Sequence, residues 1–174
     1  MKMLREMCGS EGGIGQISNP ETRLQLLQRI ISIAPSERVP RHRLVAALIG
    51  LERYDDAETE IEEALRVVKR DPPLQRYRVR LHIGKALNQS GLMKEDRVAL
   101  LKRAERLALE ALDRFPEDKR AYMTYADVGE ALMQINGDKS VLHHAVDVML
   151  QATDRLLDPE FAVAARSYAK RSGM

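Results

Sequence analysis

The sequence contains no tryptophan, two phenylalanines, five tyrosines and a single cysteine, Cys8, in 174 residues. Each scarcity removes a class of protein. One cysteine cannot build an internal disulfide framework and fits a reducing compartment. An aromatic content of 4% requires a core of aliphatic residues and alanine, as found where helix packs on helix. The longest apolar run, Leu44 to Leu51, falls far short of the ~20 residues of a membrane-spanning helix. Charge of one sign is also missing. The 28 Lys and Arg against 26 Asp and Glu leave a net +2, too mild to imply a polyanionic partner. The first ten residues include Lys2, Arg5 and Glu6 and so lack the apolar stretch of a signal peptide. Glu6-Met7 before Cys8 does not look like a lipoprotein cleavage site. These features read as a cytoplasmic protein. No stretch alternates with period two, so the expected fold class is all-α.

With 44% hydrophobic and 31% charged residues, the chain can form a core of useful size. Its punctuation is that of successive helices. Asn19-Pro20-Glu21, Asp71-Pro72 and Asp158-Pro159-Glu160 each place a capping side chain before a proline at the first helical position. Pro35, Gly91, Pro116, Gly137 and Gly173 mark stops or turns. The spacing predicts helices near 20–34, 40–51, 54–70, 73–90, 94–115, 119–135, 140–156 and 159–171. Gly9 to Gln16 reads as a linker, which makes residues 1–18 a flexible tail and 19–174 a single domain. Gly84 and Gly129 stand inside helical patterns at equivalent distances from the turns at Gly91 and Asn136-Gly137. Glycine there costs about 1 kcal/mol against alanine, so a close neighbouring helix is expected at both. Gly173, beyond the last helix, is expected to tolerate a side chain.

The segment Leu44–Leu65, LVAALIGLERYDDAETEIEEAL, is the most specific. Leu44, Ala47, Leu48 and Leu51, then Tyr54, Ala57, Ile61, Ala64 and Leu65, recur at three and four residues on either side of a turn at Glu52-Arg53. Two short amphipathic helices with alanines at their crossing form a hairpin that cannot bury its apolar face alone. This hairpin resembles a tetratricopeptide repeat at Leu44, Leu48, Tyr54, Ala57, Ile61 and Ala64. Looser pairs follow over 73–158, with Ile83, Gly84 and Leu87 before Ala104, Ala108 and Ala111, then Val128, Gly129 and Leu132 before Ala145, Met149 and Ala152. Leu44 to Ile83 is a step of 39 residues and Ile83 to Val128 one of 45, against a family period of about 34. Arg41 and Arg80 replace the large aromatic that often opens the family's first helix. The resemblance implies a right-handed α-solenoid of about eight helices, with 159–171 as a capping helix and 20–34 as the second half of a degenerate earlier repeat. It also implies a protein-interaction scaffold that is not an enzyme and holds a peptide or helix of a partner protein in a concave groove. The groove stripe would comprise His42, Ala46 and Ile49, then Arg78, Leu81, Lys85 and Asn88, then Met123, Ala126, Glu130 and Met133. Arg78, Lys85 and Asn88 would receive carboxylates or carbonyls, and the methionines would be adaptable apolar contacts or else core. The family's terminal-carboxylate clamp is not matched, because Ala46, Asp127 and Glu130 stand in its way.

The residues themselves assemble no reaction centre. His42, His82, His143 and His144 have no ligand spacing with a flanking Glu, and His143 and His144 point about 100° apart on a helix. No metal or cofactor is expected, and the histidines read as solvated or partly packed. Gly9, Gly12, Gly13 and Gly15 are not followed by the Lys-Ser/Thr of a phosphate loop. Charge is segregated. Glu52, Asp55, Asp56, Glu58, Glu60, Glu62 and Glu63 stand against Arg53 alone, whereas 66–106 is rich in Arg and Lys. Acidic and basic faces side by side favour oriented association, with itself or with a partner. The basic 66–106 region gives an alternative reading as a helical-repeat RNA binder. Tyr77 is the one aromatic there for base stacking, which weighs against nucleic acid.

Overall fold

The computed structural model describes residues 19–174; the expected tail, with Cys8, lies outside the described residues. Among the described residues there are eight helices and no strand. They are α1 (Pro20–Ile33), α2 (Arg38–Gly50), α3 (Tyr54–Val67), α4 (Pro72–Asn88), α5 (Lys94–Arg114), α6 (Lys119–Asn136), α7 (Ser140–Leu156) and α8 (Pro159–Ser172). Their starts follow the punctuation. Asn19 accepts from the Glu21 and Thr22 N–H groups at 2.9 and 3.2 Å, and Asp158 accepts from those of Glu160 and Phe161 at 2.8 and 3.0 Å. These bonds satisfy N–H groups that the first turn of a helix leaves without an internal partner.

The stops are less regular than the sequence suggests. Gly137 and Gly173 end α6 and α8 in the left-handed conformation. At the end of α2 that role falls to Glu52, with φ of 58°. There the Arg53 N–H donates to Leu48 O and the Glu52 N–H to Ile49 O, a Schellman closure built without glycine. Leu157 likewise ends α7 in the left-handed conformation, with φ of 46°, its N–H donating to Thr153 O. The expectation that Gly173 tolerates a side chain is corrected by its φ of 82°, which L side chains rarely adopt.

The chain divides into two compact units that meet at Tyr77–Arg78, within α4. In the first, α2 packs on both α1 and α3. Leu24, Leu27 and Ile30 of α1, Leu44, Val45 and Leu48 of α2, and Tyr54, Ala57, Ile61 and Ala64 of α3 are buried. Of the hairpin positions singled out in the sequence, Leu44, Leu48, Tyr54, Ala57, Ile61 and Ala64 are therefore core, whereas Ala47 and Leu65 are half-buried and Leu51 is exposed. In the second unit, α5 packs on α6, α6 on α7 and α7 on α8, with a smaller contact from α6 to α8. Its core runs from Val79 through Leu101, Ala104, Ala108, Tyr125, Leu132, Leu142 and Met149 to Phe161 and Tyr168. Gly129 marks the tightest point. A Cβ there would sit 2.5 Å from Leu142 Cα and 2.6 Å from Leu142 N, so α6 meets the α7 backbone with no room for a methyl group. Gly84, its sequence counterpart, is half-buried in α4.

Candidate functional site

In the first unit Arg41 and His42 of α2 are committed to the fold. Arg41, 5% exposed, donates through Nε to Pro35 O at 2.8 Å and through Nη1 to Glu60 Oε1 at 2.7 Å. Arg41 thus ties α2 to α3 and to the preceding turn. Burial pushes the Glu60 carboxyl up, against the pull of Arg41. His42, half-buried, is hydrogen-bonded through Nε2 to Asp71 Oδ1 at 2.9 Å. Asp71, 1% exposed, also accepts from the Leu74 N–H at 3.0 Å as the cap of α4. Burial alone would raise its pKa. The bonds from His42 and Leu74, with the charges of His42 and Arg38, outweigh that and hold it below the usual carboxylate range. His42 is therefore a structural partner of Asp71 rather than an open stripe residue. Ala46 is exposed and Ile49 half-buried.

In the second unit the expected stripe is partly corrected. Leu81 is 2% exposed and Ala126 is fully buried, so both belong to the packing and offer nothing to a ligand. Leu81 fails because the i, i+3, i+7 stripe drawn on α4 runs across the boundary between its open and packed sides. Arg78 and Lys85 are half-buried and Asn88 is exposed, and each is engaged by other residues of the chain. Met123 and Met133 are half-buried and packed against the core, intermediate between the two roles expected of them.

Glu130 lies in a cluster that the sequence reading did not assemble. Its Oε1 accepts from Arg171 Nε of α8. Arg171 also lies over the Tyr168 ring, 4.2 Å from its centroid. The Tyr168 hydroxyl donates to Asp127 Oδ1 at 2.6 Å. Burial pushes the Asp127 carboxyl up, against the opposing effects of the Tyr168 hydrogen bond and of Arg80 and Arg171. Tyr168 itself is raised by burial and then by Asp127. The clue in the sequence was a pair of matched spacings, Asp127 and Glu130 on α6 against Tyr168 and Arg171 on α8, each three apart. α6 thus carries Met123, Asp127, Glu130 and Met133 along one stripe, while Gly129, one turn before Met133 and beside that stripe, is pressed onto Leu142.

The remaining histidines are hydrogen-bonded or buried. His143 Nε2 donates to Ser172 O at 3.1 Å, and Lys139 Nζ donates to the same carbonyl at 3.3 Å. His144 Nδ1 is hydrogen-bonded to the Tyr125 hydroxyl at 2.7 Å, and burial pushes that phenol up to about 12. His82 is buried. Among the described residues no three of His, Cys, Asp and Glu converge as a metal-ligand set, and no helix is long and apolar enough to cross a membrane. Part of the basic 66–106 region is spent internally. Arg97 donates to Ala86, Leu87, Gln89 and Leu92 carbonyls at the α4–α5 turn, and Lys102 pairs with Glu105 at 3.0 Å.

No protein-family model matches the chain, and comparison with curated proteins and with solved structures yields no match either.

Proposed function

We propose that the chain is a protein-interaction scaffold of the tetratricopeptide-like kind, holding a peptide or helix of a partner protein against the first helices of its hairpins. The observation that carries this reading is the stripe on α6. Met123 and Met133 flank Asp127 and Glu130, and α8 already lies along this stripe, engaging it through Tyr168 and Arg171. A surface that takes one helix by an aromatic hydroxyl and an arginine, with adaptable methionines at either end, has the chemistry of helix-in-groove recognition. The commitment of Arg97 and Lys102 within the fold leaves less of the basic region for RNA. A photo-reactive residue at Met133, or at Gln151 on the exposed side of α7, tests the reading in the source cell. Protein adducts from position 133 and not from 151 are expected. Adducts only from 151, or only with RNA, would overturn it.

A further inference from the structure

One residue, Leu157, separates the end of α7 from the Asp158 cap of α8. It is unsuited to its position in two ways. Its φ of 46° puts a branched side chain in the left-handed region, and that side chain is 84% exposed. The helix cannot simply run on, because Pro159 has no N–H to donate and disfavours helical geometry at Asp158. Asp158 is already extended, with φ of −114° and ψ of 112°. Opening at Leu157, with α8 swinging away from its own α7, relieves the strain of the turn.

The contacts that α8 would leave are specific to its own sequence. Phe161, Ala165 and Tyr168 fill the apolar part, with the Phe161 ring edge-on to Tyr122 at 5.5 Å. Tyr168 meets Asp127, Arg171 meets Glu130, Asp158 meets Lys119, and the Ser172 carbonyl meets Lys139 and His143. A second copy of this chain offers the whole constellation again. A short hinge under strain, next to an element with its own complete set of contacts, is the arrangement that favours exchange of that element between identical chains.

We infer that α8 exchanges between two copies, each α8 seating on the α6–α7 surface of its partner and both Leu157 hinges opening. The partner's α8 would occupy the same Asp127–Glu130 stripe that the chain's own α8 occupies here, and the exchange requires no peptide ligand.

The test uses the full chain in a Cys8→Ser background. One chain carries Glu130→Cys and a second, tagged, carries Arg171→Cys. They are unfolded together, refolded at high concentration and treated with a short bismaleimide. Exchange places the two cysteines, on different chains, where Glu130 and Arg171 meet, so a covalent heterodimer is expected. A chain carrying both cysteines, refolded dilute, links within itself and confirms the reach of the linker. Adding Leu157→Gly to both chains relieves the closed turn and should lower heterodimer yield about tenfold. No interchain product, or a yield unchanged by Leu157→Gly, would overturn the exchange.

Discussion

At position 129 a single hydrogen atom is all that α7 leaves room for. Gly129→Ala removes a residue that costs a helix about 1 kcal/mol. The new Cβ would nevertheless meet Leu142 main-chain atoms, which have no rotamer to yield. The two helices must then separate along the seam that buries Val128, Leu132, Ala145 and Val146. Overpacking of this kind costs typically about 1–3 kcal/mol, so the variant should lose stability despite its better propensity. Urea unfolding followed by circular dichroism measures the difference; a midpoint at or above that of the parent would show that the seam can open. Glu52 presents the opposite case. It is exposed and left-handed. Glu52→Gly should stabilise by about 0.5–1 kcal/mol, since the relief of a non-glycine left-handed residue exceeds the added freedom of the unfolded chain. A lower melting temperature would mean that the glutamate is held by charge rather than tolerated.

At the scale of helices, buried charge decides more than apolar periodicity does. Arg41→Ala would leave Glu60 half-buried beside Ile61 and Ala64 without its partner and the Pro35 carbonyl without its donor. Breaking a buried pair from one side costs about 3–5 kcal/mol, and the solvent still reaching Glu60 puts the expected loss near the lower end. Glu60→Gln should cost less, because an amide oxygen can still accept from Arg41 and no charge is stranded. Equal losses in the two variants would place the cost in packing rather than in charge. Asp71 sets an acid limit. Its folded pKa is depressed, so the stability it contributes is present above the unfolded value of about 3.9 and is lost as pH falls through the folded one. Asp71→Asn should therefore be less stable than the parent at pH 7 and lose less on acidification below about pH 4. Parallel pH profiles for the two proteins would sink this account. The helices and their caps were legible because each leaves a local signature, as at Asn19-Pro20 and Asp158-Pro159. So was the close approach at Gly129. The burial of Leu81 and the roles of Arg41 and His42 were not legible. They depend on which side of a helix meets a neighbour, and on acids 19 and 29 residues away in the chain. The pairing of Tyr168 and Arg171 with Asp127 and Glu130, 41 residues apart, left only the matched three-residue spacings on the two helices as a sign, which do not say that the helices meet.

Across the molecule, stability should be graded rather than uniform. In a stack of helices each element is held chiefly by its nearest neighbours, so the number of neighbours sets the order of opening. Within the second unit α6 packs on α5, α7 and α8, whereas α8 packs on α7 and, more lightly, on α6. Amides of α6 such as Val128 and Leu132, buried on the Gly129 seam, should be among the last to exchange with solvent. Those in the middle of α8, near Ala165 and Tyr168, should exchange at a lower opening free energy even though these residues are as well buried. Tyr168→Phe removes the hydroxyl that donates to Asp127 and leaves the ring in place. It should raise the exchange of α8 by about ten- to a hundredfold, the worth of one hydrogen bond to a charged acceptor, while leaving α6 unchanged. Hydrogen exchange read residue by residue distinguishes this from global weakening, in which α6 and α8 would accelerate together. Protection of α8 equal to that of α6 in the parent would show that the two open as one unit. The contact hierarchy would then not govern the order of unfolding.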